Sequence, residues 1–468
     1  MKLSQNTLAQ VAENTEIITP CYDRKNTQIG IVHLGPGAFH RAHQAVYTEN
    51  AMNAFGGDWG ICGVSLRSAT ARNVLAKQDN LYTLAILDKT LKYQVVGAIK
   101  ELLVASEQCD TVIERLAAAN TKLVTLTITE KGYCLGADGT LDLSHNDIVY
   151  DLKHPTKPVS AIGFIVEGLK QRKANGIKSF NVLSCDNVSG NGDKLRQGVL
   201  DYAEQLDGEL KICTVETVSK SISAQDEWPI QREEFTQWVI EDNWQGDRPN
   251  WQEVGVIFTS DVDGFEKAKL RLLNCLHSTL AYAGSLAGFK TVYEVTSDKT
   301  FYHYVSTLAA KEVIGSFVPP KELDVEKYGQ EIIERFLNPE IRHLLAQIAW
   351  DGSQKLQMRV LPIIRDNLAL NRPTKLLCLS LACWFEFICR ALENNEEIID
   401  PLAHDFAKLT ALHNDDIPAI VESFLSIESV FGNDLKDNEV INAQLIESLT
   451  ALRASSCSGI NSVVEQLC

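Results

Sequence analysis

Four chemically capable side chains follow one another at helical spacing in the second half of the chain. At about 100° per residue, Glu266, Lys269, Asn274 and His277 fall within an arc of roughly 140° on one side of a helix. A lysine whose pKa is lowered by desolvation can act as a base, while an amide and an imidazole can hold an oxygen. The pattern therefore predicts proton transfer at a carbon-bound oxygen, with Glu266 as the proton exit. The alternative is a solvated helix face without chemistry.

A glycine-rich turn follows an apolar run near the N-terminus. Ile29–Leu34 has the composition of a buried strand, and a helical pattern begins directly after the turn. The turn consists of Gly35-Pro36-Gly37-Ala38-Phe39-His40. A strand, a tight turn and a helix start present free backbone N–H groups to a pyrophosphate, so we predict that these residues bind a dinucleotide. His40 replaces the usual third glycine, and an ordinary turn between strand and helix is the alternative.

The segment after the next apolar strand bears on the identity of this dinucleotide. Dinucleotide sites usually have an acidic residue there, which binds the adenosine ribose. Here the segment carries Arg67 and Ser68, and no Asp or Glu is present between residues 65 and 72. These side chains suit a bare ribose or a 2′-phosphate, so NAD is the expected cofactor and NADP is not excluded. A solvated loop with surface arginines is the alternative.

Composition narrows the class of partner. The formal net charge of -17 disfavours nucleic acid and anionic membranes. The longest apolar runs, such as residues 376–383, are far shorter than the roughly 20 residues that span a bilayer. The twelve cysteines are scattered without a C-x-x-C pair, and no signal peptide is recognised, which indicates reduced thiols in the cytoplasm. We expect a cytoplasmic monomer or small homo-oligomer acting on a small molecule.

The order of apolar and amphipathic segments indicates two domains, as a chain of 468 residues exceeds one ordinary core. Up to residue 257, strands alternate with helices, which predicts a parallel sheet covered on both faces. The expected strands are residues 29–34, 60–66, 92–98, 122–129, 180–185 and 254–259. Helical periodicity dominates from residue 258 to residue 468. The predicted fold is an α/β domain over 1–257 and a mostly α-helical domain over 258–468.

Three histidines around the glycine turn raise the question of a metal site. His33, His40 and His43 are spaced by seven and then three residues, which matches no zinc motif, and no cysteine joins them. We expect His33 to be a buried, hydrogen-bonded residue of a strand. The other two histidines are expected to pack the first helix, and no metal is predicted.

Several blocks of this sequence, in the same order, resemble the long-chain mannitol dehydrogenase family, which includes polyol 2-dehydrogenases and hexuronate oxidoreductases. The resemblance extends nearly from end to end of the chain. Beside the glycine turn and the Lys269 helix, the matching blocks include Thr129-Glu130-Lys131-Gly132-Tyr133, Ser184-Cys185-Asp186-Asn187, Gln237-Trp238-Val239-Ile240 and Asp351-Gly352-Ser353-Gln354-Lys355.

The resemblance implies a Rossmann-type N-terminal domain and a largely helical C-terminal domain. It implies that Lys269 is the general acid/base of a metal-independent, NAD(P)-dependent interconversion of a ketone and a secondary alcohol. By the same resemblance, Asn187 and Asn274 would hold the substrate oxygen, and Asn187 would also lie beside the cofactor. His277 would help to position the substrate, and Glu266 would gate proton exchange.

The residues near Lys355 bear on the sugar that the resemblance implies. Members that act on mannitol tend to carry an arginine eight residues before this lysine, where the present chain has Gln347. An anionic hexuronate would be met by Lys355, with Arg342, His343 and Arg359 as further candidates. The expected substrate pair is a keto sugar acid and its alcohol, such as fructuronate and mannonate. A mannitol 2-dehydrogenase or another polyol dehydrogenase is the alternative.

One segment departs from the family pattern. Members carry a Val-Asp-Arg block and a Cys-Glu-Pro-Phe block ahead of the position of Gln237. Here the corresponding stretches begin at Val218-Ser219-Lys220 and at Pro229-Ile230-Gln231, and the segment is shorter. We expect an altered substrate range, because Lys269 and its neighbours are retained. A catalytically silent paralogue that binds a dinucleotide is the alternative of another class.

Overall fold

The structure of the chain, a computed structural model, consists of two compact units, Met1–Val262 and Asp263–Cys468. The first unit is a Rossmann-type α/β fold and the second is mostly helical, which confirms the expected fold class. The described residues are 2–87, 92–136, 138–188, 190–206, 218–219, 230–233, 235–244, 246–339, 342–410, 416–456 and 459–468.

Unit 1 is built around short strands, and the central ones are nearly continuous apolar runs, as expected where both faces of a sheet are covered. The strands are β1 (Ile17–Ile18), β2 (Ile29–Leu34), β3 (Gly60–Ser65), β4 (Tyr82–Leu87), β5 (Lys92–Val96), β6 (Ile99–Val104), β7 (Leu123–Leu126), β8 (Asn181–Ser184), β9 (Val218–Ser219), β10 (Ile230–Glu233), β11 (Trp238–Glu241) and β12 (Val256–Thr259).

Six of these strands form one parallel sheet in the order β6-β3-β2-β7-β8-β9. From β2 the chain builds outward through β3 to β6, and it then returns to the other side of β2 to add β7, β8 and β9. The strand order therefore reverses between β2 and β7. In open α/β sheets, a reversal of this kind leaves a crevice at the carboxyl ends of the central strands, where ligands bind.

One face of this sheet is covered by helices. The helices of unit 1 are α1 (Leu8–Val11), α2 (Ala38–Ala42), α3 (Gln44–Phe55), α4 (Thr70–Leu75), α5 (Cys109–Ala117), α6 (Asn146–Lys153), α7 (Ala161–Ala174) and α8 (Asn191–Leu206). Side chains of α5, α7 and α8 share a core with Val32 and Leu34 of β2. Because side chains alternate along a strand, the neighbouring Ile31 and His33 point to the other face.

The other face of the main sheet is covered as well, by a helix together with two smaller sheets. There α3 shares a core with a second, mixed sheet of order β1-β5-β4-β10 and with the parallel pair β11–β12. The predicted strands at residues 92–98 and 254–259 therefore belong to these smaller sheets, and β4 and β6 were not predicted. The smaller sheets were not predicted, because strand propensity does not reveal which distant segment a strand pairs with.

Unit 2 consists of helices around the apolar α17. The helices are α9 (Val262–Lys269), which begins at the last residue of unit 1, α10 (Cys275–Leu286), α11 (Val292–Ser297), α12 (Lys299–Leu308), α13 (Val325–Phe336), α14 (Leu345–Ala349), α15 (Gly352–Arg359), α16 (Leu361–Ala369), α17 (Lys375–Glu393), α18 (Ala403–Thr410), α19 (Ile417–Leu425), α20 (Glu428–Phe431), α21 (Glu439–Arg453) and α22 (Ile460–Leu467).

Two π-helical turns interrupt this α-helical pattern, Leu270–Asn274 between α9 and α10, and Ala309–Val313 directly after α12. In each turn a backbone N–H donates to a carbonyl five residues earlier, from Cys275 to Leu270 and from Ile314 to Ala309. Glu312, within the second turn, accepts the N–H groups of Leu376 and Leu377 at 2.9 Å each and so caps α17. Turns of this kind are rare and often lie at functional sites.

No helix in the described part of the chain is long and apolar enough to cross a membrane. No group of three or more His, Cys, Asp or Glu side chains in that part is arranged to hold a metal ion. The cysteines described are free thiols, and most are buried.

Candidate active site

The glycine turn begins where β2 ends, at the reversal of strand order. Gly35 has a φ of +90°, and a Cβ added to it would lie 2.1 Å from the carbonyl oxygen of Thr127. Only glycine therefore fits there. Gly37 is exposed, and the nearest atom to an added Cβ would be a loop carbonyl 3.8 Å away. The open space in front of Gly37 suits the close approach of a phosphate to the backbone.

The side chain of His33, on β2, contacts the backbone of the glycine turn. Its Nδ1 lies 2.7 Å from the hydroxyl of Thr125, and its Nε2 lies 3.1 Å from the carbonyl of Gly35 and 2.9 Å from the hydroxyl of Thr127. Burial lowers the pKa of His33 to about 3, so the imidazole is neutral. Thr127 donates to the same carbonyl at 2.6 Å, which fixes the orientation of the turn.

The residues after the second glycine lie at the start of α2. Ala38 and His40 are buried, and the partly buried Phe39 stacks on His43 with ring centroids 4.6 Å apart. His40 stacks on His33 at 3.6 Å, and burial holds its pKa well below the usual value. His40 is thus a neutral packing residue beneath the turn, and its predicted contact with a cofactor stays a prediction.

Arg67, Ser68 and Asn187 follow the carboxyl ends of β3 and β8, and parallel pairing brings these ends to the same edge of the sheet as Gly35. All three side chains are exposed. The guanidinium of Arg67 donates to the carboxylate of Asp147 at 2.6 Å. Ser68 donates its hydroxyl to Thr70 at 2.9 Å. The cofactor residues that the sequence predicted are thus gathered at one edge.

Asp186, at the same edge, is a candidate site residue that the residue pattern alone did not reveal. Its carboxylate accepts the N–H groups of Ile128 and Thr129 at 3.0 and 2.8 Å and the hydroxyl of Tyr133 at 3.0 Å. These bonds join the loop after β7 to the residue beside Asn187. Thr129 has φ 65° and ψ 165°, a conformation nearly restricted to glycine that costs roughly 1–3 kcal/mol. Asp186 offsets this strain, and its place directly after a strand was the available signal.

In unit 2 the π turn changes which side chains of the α9–α10 segment share a face. The backbone N–H of Cys275 donates to the carbonyl of Leu270, five residues earlier. In an α-helix, residues four apart lie above one another on the same face; across this turn, residues five apart do so. Lys269 and Asn274 are five residues apart, so the turn brings them onto one side, with His277 a turn further along. The arc predicted from regular α-helical spacing was too wide, because nothing in the pattern indicated an inserted residue.

Lys269 has the electrostatic environment of a base. Burial lowers the pKa of its ammonium group, Glu266 one turn earlier raises it, and Arg359 and Arg335 lower it further. Desolvation and two positive neighbours both disfavour the protonated amine. The net lowering makes Lys269 a stronger candidate for proton transfer than an exposed lysine.

His277 is held neutral next to the same cations. Its ring stacks on Phe336 with centroids 4.5 Å apart and meets the edge of His343 at 5.9 Å. Burial, together with His343, Arg335 and Arg359, lowers its pKa to about 3. Among the described residues, its buried Nε2 has no hydrogen-bond partner, which leaves this atom for a ligand.

The predicted substrate residues fall into two groups. Arg359 and Lys355 lie on α15, where Arg359 donates to the hydroxyl of Ser278 at 3.1 Å and lowers the pKa values of Lys355, Lys269 and His277. His343 lies near this group, because its ring meets the edge of the His277 ring. Arg342 is exposed, and its Nε donates to the carbonyl of Pro339 at 3.5 Å, so it lies in the surface loop. Most of the remodelled stretch at 218–235 lies outside the described residues.

Comparisons with known proteins agree with both units. The description "Mannitol dehydrogenase Rossmann domain" matches residues 29–253, and "Mannitol dehydrogenase C-terminal domain" matches residues 261–453. The D-mannonate oxidoreductase of Escherichia coli is 36% identical over 477 residues, which cover 96% of this chain and 97% of the relative. A mannitol 2-dehydrogenase of Aspergillus fumigatus is 35% identical over 500 residues, with 98% of each chain covered.

A solved structure carries the same resemblance. The mannitol 2-dehydrogenase of Pseudomonas fluorescens, in a ternary complex with NAD and D-mannitol, has a TM-score of 0.74 and 34% identity. The match covers 100% of this chain and 99% of that protein. The family expected from the motifs is thereby confirmed: the chain belongs to the mannitol dehydrogenase family of oxidoreductases.

Proposed function

We propose that this chain is an NAD-dependent oxidoreductase that interconverts a keto sugar acid and its secondary alcohol, with fructuronate and mannonate as the leading pair. The single observation that carries the proposal is the cluster of cationic side chains around Lys269. Arg359 and Arg335 lower the pKa of Lys269 against the opposing effect of Glu266. Arg359 also lowers the pKa of Lys355, which Asp351 and Asp400 raise. Such a cluster suits a substrate that carries a negative charge.

The proton chemistry is assigned to Lys269. In the oxidising direction the neutral amine takes the proton of the substrate hydroxyl and becomes an ammonium group. Bound NAD would supply the acceptor for the hydride that leaves the same carbon, and bound NADH would supply this hydride in the reverse direction. In the reducing direction the ammonium group returns the proton to the ketone oxygen. Asn274 is assigned to the substrate oxygen as a hydrogen-bond donor, and Glu266 exchanges the lysine proton with water. The same role for Asn187 stays a prediction.

The carboxylate of the substrate is assigned to Arg359. A guanidinium group can donate two parallel hydrogen bonds to one carboxylate, which an ammonium group cannot do. Arg359 is half-buried beside Lys269, and Lys355 lies one turn earlier on the same helix. The D-mannonate oxidoreductase among the relatives supports this substrate class, and the mannitol 2-dehydrogenases keep a neutral polyol as the competing possibility.

The expected preference for NAD over NADP follows from the charges near the end of β3. Arg67 pairs with Asp147 at 2.6 Å, and Arg72 pairs with Glu107 at 2.5 Å. Both arginines could otherwise meet a 2′-phosphate, but each already has a carboxylate, which would repel that group. The NAD in the related ternary complex supports the same choice.

The proposed substrate is tested with fructuronate and fructose under the same conditions. We expect fructuronate to be preferred, and Arg359→Gln to lower kcat/KM for fructuronate about 10- to 100-fold, the loss expected for a charge-assisted hydrogen bond, while fructose changes little. The ratio of the kcat/KM values for the two substrates, measured at one pH, cancels any effect of Arg359 on the pKa of Lys269. Arg342→Gln, in the exposed loop, is the matched variant and should leave the ratio near that of the wild type.

An equal loss on both substrates, or a wild-type preference for fructose or mannitol, would refute the uronate assignment. Cofactor binding without turnover of any of these sugars would instead favour the catalytically silent alternative.

The role of Lys269 is tested by Lys269→Ala. We expect kcat to fall by about 10²- to 10⁴-fold, the usual contribution of a general acid/base, while the Kd for NADH stays within about twofold. Lys267→Ala, two residues earlier on the same helix and exposed, is the control and should retain its activity. Steady-state rates and fluorescence titration of NADH provide the two measurements. Full activity of Lys269→Ala would exclude this lysine as the base.

The pH profile tests the electrostatic coupling between Glu266 and Lys269. Oxidation requires neutral Lys269, so log kcat should rise with pH and level off above the pKa of this amine. Glu266 raises that pKa, and Glu266→Gln should therefore move the rising limb to lower pH. In the reducing direction the falling limb should move the same way. Asp263→Asn, on the same helix and exposed, should leave both limbs in place; an unmoved limb in Glu266→Gln would contradict the coupling.

The glycine turn is tested by Gly35→Ala. An added methyl group would meet the carbonyl of Thr127, so the turn must shift, and we expect NADH to bind at least about tenfold more weakly. Gly56→Ala is the matched control, because Gly56 also has a positive φ of 67° but nothing within 4 Å of an added Cβ. Both alanine variants place a side chain at a positive φ, but only Gly35→Ala also brings the methyl group against the carbonyl of Thr127. Equal NADH affinity in the two variants would show that the turn does not hold the cofactor.

A further inference from the structure

Arg271 lies within the π turn that aligns Lys269 with Asn274, and its side chain is only 5% exposed. Its Nη1 donates to both the carbonyl and the hydroxyl oxygen of Ser316 at 2.8 Å. Its Nη2 donates to the carboxylate of Asp366 on α16. The guanidinium also lies 5.6 Å from the ring centre of Phe317. A buried charge that satisfies partners on two other segments holds its own backbone firmly.

The partners of Arg271 connect the two π turns. Ser316 lies just after the second π turn, and its hydroxyl donates to the carbonyl of Val313, the last residue of that turn, at 2.7 Å. The two turns also pack directly against each other. The second turn is held in turn by Glu312, which caps α17. Hydrogen bonds and the backbone of the second turn thus connect Arg271 to α17 in the core of unit 2.

A π turn needs such support because it is less favourable than the α-helix on either side. If the turn relaxed to regular α-helical bonding, Cys275 would donate to Arg271 in place of Leu270. One residue of register corresponds to about 100° of rotation. Asn274 and His277 would then turn away from the side occupied by Lys269.

We propose that Arg271 is a positioning residue for the reaction: it keeps the π turn in place and thereby keeps Lys269, Asn274 and His277 on one face. This inference rests on the proposed roles of those three residues. Arg271 itself touches neither substrate nor cofactor in this assignment. Its effect is on the alignment of the proton-transfer groups and not on the affinity for NAD.

The test compares Arg271→Lys with Arg365→Lys. Arg365 is a matched arginine on α16 that contacts the carboxylate of Asp434 at 2.7 and 2.9 Å and the carbonyl of Phe431 at 2.5 Å. We expect Arg271→Lys to lower kcat about 10- to 100-fold, as a displacement of about 1 Å can do, with NADH affinity within about twofold. Arg365→Lys should lose thermal stability without a comparable loss of kcat. Asp366→Asn keeps an oxygen that can accept from Arg271, so its loss of kcat should lie between those of Arg271→Lys and Arg365→Lys.

The kinetic isotope effect with NADH deuterated at the transferred position separates misalignment from general destabilisation. A misaligned site slows the chemical step, so the isotope effect on kcat should increase in Arg271→Lys and stay at the wild-type value in Arg365→Lys. An unchanged isotope effect, or a loss of kcat no larger than that of Arg365→Lys, would overturn the inference. Inactive Lys269→Ala beside fully active Arg271→Lys would refute this inference alone, whereas active Lys269→Ala would refute the proposed base.

Discussion

Cys275 donates its backbone N–H to the carbonyl of Leu270, one residue further back than an α-helix would use. This bond determines which side chains of the α9–α10 segment face the same way, because each residue of register rotates all later side chains by about 100°. The base, the amide and the imidazole of the proposed site come from both sides of the insertion. Their common face is therefore a property of the turn, and the turn in turn depends on tertiary contacts made elsewhere in unit 2.

In unit 1 the loops of the proposed site are positioned by the order of the strands and by polar side chains at the strand ends. The reversal of strand order between β2 and β7 places Gly35 and Thr127 at adjacent strand ends, where both can meet the side chain of His33. Burial keeps that imidazole neutral, so it contacts the carbonyl of Gly35 without placing a positive charge beneath the turn. Asp186 performs the corresponding task on the next loop, where it holds the strained backbone of Thr129. Polar side chains at strand ends thus fix the loops that the sheet brings together.

The sequence predicted the local elements better than their partners. Ile29–Leu34 was predicted with its observed bounds, since a continuous apolar run followed by a glycine turn is a local signal. The second sheet was missed, because the pairing of β4 with β5 and β10 depends on contacts between distant segments. The stripe of Glu266, Lys269, Asn274 and His277 was recognised, but the π turn within it was not. An inserted residue leaves the composition and most of the periodicity of a helix unchanged.

The electrostatics of the proposed site also could not be read from net charge. The chain carries -17 overall, yet exposed charges farther away than about 10 Å are largely screened by salt, and the neighbours of Lys269 are mainly cationic. These cations have two linked effects. They lower the pKa of Lys269, and they attract an anion. A substrate carboxylate bound at Arg359 would neutralise part of the field that lowers this pKa and so favour the protonated amine. The substrate would thereby help to supply the acid that ketone reduction requires, an advantage that a neutral polyol does not have.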